Sequence, residues 1–514
     1  MPNGNGPYLE RADTIEHIEQ IAAQDRVIIY AGSGVSIDKT GMNWPTLVQS
    51  LMSNRVGDLE LQTFSPLESA SIVKQLLLKE FGEDRINGRL ADELRRLLYP
   101  SQMWRQAELP HAVMRLIAEL HGQGRDYHVF TTNYDDFLER QKVILDAQSQ
   151  AKQSATLALE SVALDYSVDI SDKAGLRAQV ARYTSCEPDQ RLLVHLHGYV
   201  PQDPADRATF VTFSEVDYAK SYRLSAEVLE QVLREHSMLV IGSSLTDPPL
   251  LNALAKTADD AKERQLTRLA IMPLQGLRVP LDDERRTAAL CKNVQERMEH
   301  FEVEVTFPDF YAQTAQVLTE IRVAARERRE GRRYKDSPAE HRNRLDRWWS
   351  GWKRDRCGDW PAANHRDHQT LLARLSTLQK GFKVARETMK LEIWIRWAPG
   401  PANRLLKLWA SSTGTWPDER SMPTAEIGNN SQYVSVQTFC AGRPGVHVTK
   451  TDRWRTYLSV PIWVGDLPVA VISLASMEEE TRIDRKEAAR ISNMVEELAA
   501  IGKELVSDVR PDSG

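Results

Sequence analysis

Residues Arg26–Ser36 read RVIIYAGSGVS and introduce a pattern that repeats along the first half of the chain. The first part, Arg26–Tyr30, is a short run rich in β-branched and aromatic side chains, and the glycines Gly32 and Gly34 follow closely. An apolar run of this length that ends in glycines is typical of a buried strand and a tight turn, here with a helix start at Val35. Such glycines let the backbone approach a phosphate, although the same pattern also serves as a plain turn.

Further apolar runs repeat this arrangement along the chain. They are Tyr127–Phe130, Leu192–Leu196, Met238–Ile241 and Leu269–Met272. Helical patterns such as Ser225–Glu235 separate them. The alternation predicts an α/β Rossmann-like parallel sheet with helices on both faces, and a helical insert at Leu59–Tyr99. Ligands of such sheets bind beyond the carboxyl ends of the strands, where the polar residues of this chain follow each run.

Composition excludes several classes of protein. The 514 residues include 66 Lys+Arg and 72 Asp+Glu, which gives a formal net charge of -6 and argues against a global nucleic-acid-binding surface. We expect neither a signal peptide nor a membrane span, because no apolar run approaches the roughly 18 residues that a span needs. The four cysteines lie far apart without a CxxC pair, so we expect no metal site and a reducing, cytoplasmic location.

A basic segment divides the chain. From Ile321 to Arg356 there are thirteen Lys/Arg and six Asp/Glu, and ten of the twelve tryptophans lie from Trp348 onward. This break is typical of a domain boundary, and we favour a solvated helical connector over a nucleic-acid-binding segment. The predicted parts are a tail at 1–14, a domain at 15–325, a basic Trp-containing linker at 326–364, a domain at 365–506 and a tail at 507–514.

Motifs at the ends of the predicted strands occur in a fixed order. They are Gly32–Ser36 (GSGVS), Thr131–Asp135 (TTNYD), His197-Gly198 and Gly242–Leu245 (GSSL). Together they resemble the sirtuin superfamily, whose motifs read GAG-x-S, TQN-x-D, HG and GTSL. With Trp44-Pro45 and Asp247-Pro248, residues 15–325 look like the sirtuin-like domains of bacterial anti-phage defence proteins.

The resemblance implies a binding site for NAD+ as the substrate. The residues implied to bind it are Gly32, Ser33, Gly34, Ser36, Thr132, Asp135, Gly242, Ser243 and Ser244. Two residues are implied to be catalytic: Asn133 would orient the attacking group beside the nicotinamide ribose, and His197 would act as the base. A neutral imidazole can accept a proton near pH 7, and an amide orients water without adding charge.

Structural roles remain open for the same residues. His195 lies on the same strand face as His197 and is an equally visible candidate, and either ring could simply be a buried structural group. Asn133 and Asp135 could cap a following helix, a role that is compatible with catalysis.

A departure from the deacylase pattern favours hydrolysis. Sirtuin deacylases usually carry two zinc-binding CxxC pairs between the HG and GTS motifs, whereas residues 199–241 contain no cysteine. Water then becomes the acceptor, and the implied reaction cleaves NAD+ to nicotinamide and ADP-ribose, which in the resembled proteins depletes NAD and halts phage growth. A non-catalytic NAD or ADP-ribose sensor is the alternative, and a protein deacylase is less favoured. We expect low basal activity, held down by assembly or by the insert acting as a lid.

The C-terminal part has an α+β pattern. Amphipathic stripes at Leu371–Phe382 and Ile491–Leu505 bracket strands, among them a hairpin around Gly465-Asp466. Within it, Tyr433–Ser476 reads as a strand, a glycine-rich turn and the hairpin, and resembles a GAF domain. The resemblance implies a small-molecule, nucleotide-type trigger, or dimerisation and hence a homo-oligomer. Several tryptophans could line a ligand pocket, although core packing explains most of them. Cys440 is taken as a small strand residue.

Overall fold

The computed structural model describes most of the chain. The described residues are 8–40, 42–56, 64–99, 108–151, 156–166, 173–184, 191–274, 284–309, 311–334, 340–357, 359–384, 388–397, 405–428, 431–449, 453–465, 467–479 and 488–507. Among them, no helix combines the length and the apolar character needed to cross a membrane.

Strands and helices alternate in the N-terminal part. In chain order the elements are α1 Ala12–Ala22, β1 Arg26–Ala31, α2 Ile37–Thr40, α3 Trp44–Val56, α4 Pro66–Phe81, α5 Glu83–Leu98, α6 Glu108–Gly122, β2 Asp126–Thr131, α7 Phe137–Ala151, β3 Leu159–Ala163, α8 Lys173–Thr184, β4 Arg191–His195, α9 Glu215–Leu233, β5 Ser237–Ile241, α10 Pro248–Lys256, α11 Ala258–Glu263, β6 Arg268–Ile271, α12 Glu284–Glu299, β7 Glu304–Thr306 and α13 Ala312–Arg329. The sequence analysis did not predict β3 and β7, which are short or only half-buried and form the two edges of the sheet.

The seven strands form one parallel sheet in the order β3-β4-β2-β1-β5-β6-β7. The prediction of a Rossmann-like parallel sheet is therefore confirmed. The chain leaves β1 for β2 on one side, and β5 later pairs with β1 on the other side. The connections that follow these strands diverge at this point, which opens a crevice at the carboxyl ends of β1 and β5.

Both faces of the sheet are covered by apolar side chains. On β1, Val27 and Ile29 pack into a core with α1, α6 and α13, while Ile28 and Tyr30 pack into a second core with α9 and α10. All four side chains are at most 3 % exposed, as expected for a strand that is buried on both sides.

The helical insert and the preceding helix α3 form a third core at the carboxyl edge of the sheet. Leu51 of α3, Leu77 of α4 and Leu94 of α5 are fully buried there, together with Tyr134 and Phe213 from the loops that follow β2 and β4. The helix α4 begins with a capping box in which Ser65 and Glu68 bond to each other's backbone N–H. The insert therefore packs over the region where the motifs converge.

A separate antiparallel sheet lies in the C-terminal part. Its elements are α14 Glu340–Cys357, α15 Trp360–Gly381, β8 Met389–Trp397, β9 Leu405–Ser411, β10 Thr424–Glu426, α16 Val434–Ala441, β11 Gly445–Val448, β12 Thr456–Val464, β13 Leu467–Ser476 and α17 Ala488–Val506. The strand order is β10-β9-β8-β13-β12-β11. One face of this sheet packs against α14, α15 and α17, and the other packs against α16.

The segment after Tyr433 is a helix, so the strand expected there is wrong. Its β-branched composition favours a strand, but Phe439 and Cys440 are fully buried beside Val471 of the sheet. Gly442 ends the helix with φ of +64°, in the left-handed region. Tertiary packing and this cap outweigh the weak local preference.

The basic segment contributes to the C-terminal core, which the expectation of a solvated connector did not include. The indoles of Trp348 and Trp352 are buried, and their Nε1 atoms donate to the carbonyl oxygens of Val506 and Leu505, both at 3.2 Å. Asp346, Arg347, Lys353 and Arg354 of α14 are exposed, whereas the indoles and Arg356 are buried. The predicted boundaries at 325/326 and 364/365 fall inside α13 and α15.

Candidate functional site

The loops after β1 and β5 touch through their backbones. The N–H of Gly32 donates to the carbonyl of Ile241 at 2.8 Å, and the N–H of Gly34 donates to the carbonyl of Gly242 at 2.8 Å. A Cβ on Gly32 would lie 2.6 Å from the Gly242 oxygen, and Gly242 itself has φ of +65°. Only glycine fits this contact, which makes the floor of the site a backbone surface.

A cavity of about 380 Å³ opens above this floor, within the size range of small-molecule sites. Ten of the eleven residues predicted from the sequence line it: Gly32, Ser33, Ser36, Thr132, Asn133, Asp135, His197, Gly242, Ser243 and Ser244. The exception is Gly34, which packs against Gly242.

The helical insert supplies the opposite wall. Ser65, Leu67 and Leu98 of the insert line the cavity from this side, together with Trp44 and Leu47 of α3, which precedes the insert. The proposed lid at Leu59–Tyr99 therefore contributes to the cavity, although residues 57–63 lie outside the described part of the chain. The wall is mainly apolar, and the polar groups are concentrated at the strand ends.

The amide of Asn133 is held by a chain of hydrogen bonds. Its Nδ2 donates to Ser36 Oγ at 2.8 Å, and Ser36 Oγ donates to Asp135 Oδ1 at 2.9 Å. The NH2 group of the Asn133 amide therefore already has a hydrogen-bond partner. The other end, Asn133 Oδ1, is buried and has no hydrogen-bond partner.

Asp135 is fully buried, and burial raises its pKa to about 7, against the lowering effect of the Ser36 hydrogen bond. Its Oδ1 also accepts from the N–H of Phe137 at 3.3 Å, at the start of α7. A capping contact and a place in the cavity wall thus coexist in one side chain. The carboxyl group can hold or release a proton near neutral pH.

His197 is held by a carboxylate that the sequence analysis did not include among the site residues. Its Nε2 donates to Asp247 Oδ1 at 2.9 Å, and Tyr30 donates to Asp247 Oδ2 at 3.1 Å. The other ring nitrogen, Nδ1, is buried without a hydrogen-bond partner. The available signal was Asp247 directly before Pro248, which is the pattern of a helix N-cap with proline at the first position.

His195 uses both of its ring nitrogens. Nδ1 donates to the carbonyl of Asn133 at 2.9 Å, and Nε2 donates to Glu139 Oε1 at 2.7 Å. Burial opposes both charges, but their attraction outweighs it, so the pKa of His195 is raised and that of Glu139 is lowered. His195 does not line the cavity, and it links β4 to the loop that carries Asn133.

Short hydroxyl side chains line the cavity beside β5. Ser243 Oγ accepts from the N–H of Leu245 at 3.2 Å, and Ser244 Oγ lies 2.7 Å from Thr246 Oγ1. These groups can turn toward a ligand at little cost, because each hydroxyl both donates and accepts.

A second polar cluster lies at the opposite, amino edge of the sheet. It consists of Asp126, His128 and His236, whose potential ligand atoms lie within 4.8 Å of one another. Asp126 already accepts from Arg191 at 2.6 Å and pairs with His236 at 3.2 Å. Burial is the first cause of the lowered pKa of His128, at about 3. The Asp126 carboxylate therefore already has two partners, and none of the three residues lines the cavity.

Residues 127–295 match the family model described as SIR2-like domain. The match begins in β2 and ends in α12, so it includes Asn133, His197 and Asp247, whereas the glycine turn after β1 lies before it. No curated protein matched the chain. The match supports a sirtuin-like domain on the parallel sheet, and this family points to an NAD-dependent enzyme.

Proposed function

We propose that the N-terminal domain is an NAD+ glycohydrolase that cleaves NAD+ to nicotinamide and ADP-ribose. The observation that carries this proposal is a pair of unpartnered acceptors, Asn133 Oδ1 and His197 Nδ1, on two residues that line one cavity. Buried polar atoms are almost always hydrogen-bonded, and the exceptions concentrate at functional sites. A hydrogen-bond acceptor and a base that line the same cavity can together orient a water molecule and take its proton.

The residues fit a dinucleotide. The glycine floor at Gly32 and Gly242 leaves no room for a Cβ, so phosphates can approach backbone at this point. The hydroxyls of Ser33, Ser243 and Ser244 provide neutral hydrogen-bond donors along the same wall. The apolar side of the cavity suits a nicotinamide or adenine ring.

The proposed reaction is the hydrolysis of one glycosidic bond, in which two side chains act on the attacking water. Water attacks the carbon of the glycosidic bond, the bond to nicotinamide breaks, and the water loses one proton. Asn133 accepts a hydrogen bond from the attacking water and orients it, while His197 takes the proton. The products are nicotinamide, ADP-ribose and a proton.

Hydrolysis is favoured over deacylation by the sequence between the motifs. Residues 199–241 contain no cysteine, so the zinc-binding pairs of the deacylases have no counterpart there. The chain from Tyr199 to Ser214 instead packs against the helical insert, where Val200 and Phe213 are fully buried. Water is then the acceptor that needs no additional binding module.

The C-terminal domain is proposed to regulate this activity. Its antiparallel sheet between amphipathic helices supports a GAF-like sensor that receives a nucleotide-type small molecule or holds a homo-oligomer. Gly442 at the end of α16 approaches Ala312 of α13, so the two domains touch. In this proposal the protein is an effector of anti-phage defence that depletes NAD once triggered.

Nicotinamide release by the purified full chain tests the activity. Wild-type protein is incubated with NAD+, with and without extract of phage-infected cells, and both products are quantified by chromatography. We expect slow release alone, faster release with extract, and loss of both with Asn133→Ala. The matched control is Glu235→Gln, which neutralises an exposed carboxylate on the other edge of the sheet.

The alternatives give different results. Binding of NAD+ or ADP-ribose that raises the melting temperature without any nicotinamide release would instead identify a sensor. Deacetylation of an acetyl-lysine peptide would identify a deacylase. Activity that survives Asn133→Ala would show that the reacting centre lies elsewhere.

A further inference from the structure

We propose that Asp247 is a positioning residue that holds His197 in the tautomer with the proton on Nε2, so that Nδ1 is the nitrogen that accepts the proton from water. The role of Nδ1 as the base rests on the proposed glycohydrolase activity. The tautomer itself is a property of the folded protein alone.

The contacts of the ring determine the tautomer. A carboxylate only accepts hydrogen bonds, so Nε2, at 2.9 Å from Asp247 Oδ1, must carry a proton. A neutral imidazole has one N–H, which leaves the lone pair on Nδ1. That nitrogen is buried and has no hydrogen-bond partner among the described residues, on a side chain that lines the cavity. A hydroxyl group that enters the cavity would complete its hydrogen bonding.

The carboxylate is itself held in place from two sides. Oδ2 accepts from the hydroxyl of Tyr30 at 3.1 Å and from the N–H of Leu250 in the first turn of α10 at 3.4 Å. Burial, together with the adjacent carboxylate, raises the pKa of Tyr30 well above its usual value, so the phenol stays protonated and donates. Strand β1, helix α10 and the end of β4 thus meet at Asp247.

The ring plane of His197 is fixed as well. Tyr218 of α9 lies against it, with ring centroids 5.1 Å apart and planes at 54°. His197 is 4 % exposed and the Asp247 side chain is 10 % exposed. The ring therefore has little freedom to turn, and the position of its proton decides which nitrogen is basic.

Asp247→Asn tests this role most directly. It keeps the shape of the side chain but can place an NH2 donor where the carboxylate oxygen accepted. The amide oxygen is needed at the Oδ2 position, where it accepts from Tyr30 and Leu250. The NH2 group must then face His197 Nε2, which has to present its lone pair. The proton moves to Nδ1, and the nitrogen proposed to act as the base is blocked.

Nitrogen NMR on protein labelled with ¹⁵N-histidine reads the tautomer directly. The resonances of His197 are identified by their loss in His197→Asn. We expect a protonated Nε2 and an unprotonated Nδ1 in the wild type, and the reverse in Asp247→Asn. An unprotonated Nε2 in the wild type overturns the proposal, whether or not the protein hydrolyses NAD+.

Kinetics of the full chain test the catalytic part. We expect Asp247→Asn to lower kcat for nicotinamide release at least about a hundredfold, with KM changed less than about threefold. Tyr30→Phe, which keeps the carboxylate but removes one of its donors, should have a smaller effect in the same direction. Equal kcat in wild type and Asp247→Asn overturns the assignment while leaving the glycohydrolase intact.

Two results separate the proposals from each other. If the wild type releases no nicotinamide under any condition, the glycohydrolase proposal fails, and the NMR result still decides the tautomer. If Asp247→Asn melts at a much lower temperature, Asp247→Glu serves as the second variant. It keeps the acceptor, so rescue of the Nε2-protonated form supports the proposal, and a reversed tautomer contradicts it.

Discussion

Two histidines at the end of β4 form the most instructive comparison in the molecule. His195 and His197 are two residues apart, both are at most 4 % exposed, and each donates to a partly buried carboxylate. Both nitrogens of His195 have partners, whereas Nδ1 of His197 has none. The difference separates a ring that holds loops together from a ring with unused basicity. Burial and a carboxylate partner do not identify a candidate base, but an unused lone pair beside a cavity does.

The largest effect is expected for His197→Ala, which removes the ring with the unused nitrogen. We expect it to lower the rate of nicotinamide release by at least about a thousandfold, because the proposed base is lost. The melting temperature should fall, because a buried ring is removed and Asp247 loses one of its donors, although Tyr30 and Leu250 still hold the carboxylate. Single-turnover product analysis and calorimetry measure the two effects. Nicotinamide release at the wild-type rate by the folded variant would contradict the assignment.

Replacing Asp135 by asparagine separates charge from hydrogen bonding beside Asn133. The pKa of Asp135 in the folded protein, about 7, lies above the usual 3.8, so its contribution to stability is present below about pH 4 and lost as pH rises through 7. The stability of Asp135→Asn relative to wild type should therefore increase between pH 4 and 7, by roughly 4 kcal/mol at most. Urea unfolding at several pH values measures it, and a constant difference would contradict the shift.

His195→Ala tests the structural half of the comparison. It leaves the partly buried Glu139 without the imidazolium beside it, and the hydroxyl of Ser161, at 2.5 Å, still donates to its Oε1. A charge that loses its partner away from water is costly. We expect the free energy of unfolding to fall by about 3 kcal/mol. Chemical denaturation at pH 7.5 provides the measurement. An unchanged midpoint would show that the pair does not stabilise the fold.

The smallest expected effect comes from Glu139→Gln. Without the carboxylate the His195 ring becomes neutral, and the NH2 group of the glutamine can donate to Nε2 while Nδ1 still donates to Asn133. Both hydrogen bonds then survive, and no unpaired charge is left. We expect a destabilisation of about 1 kcal/mol, smaller than that of His195→Ala. Thermal unfolding of both variants in one buffer makes the comparison. A larger loss for Glu139→Gln than for His195→Ala would reverse the roles assigned here.

The parallel sheet was predictable because its central strands are buried on both faces and therefore read as continuous apolar runs. The edge strands β3 and β7 were not, since half-buried or three-residue strands carry little pattern. The helix α16 was misread as a strand because its β-branched residues are helical only in contact with the sheet. The burial of Trp348 and Trp352 was missed for a similar reason. Composition alone does not show which face of α14 packs against the rest of the domain.

The sequence alone was enough to predict the order of strands and glycine turns. It therefore also predicted which polar residues lie at the carboxyl edge of the parallel sheet. This followed from local rules, namely the length of apolar runs, glycine at turns and the common direction of the strands. Only the tertiary structure showed that both ring nitrogens of His195 have partners and that Asp247 lies at Nε2 of His197. Those facts depend on contacts between residues 50 or more positions apart, which no local pattern encodes.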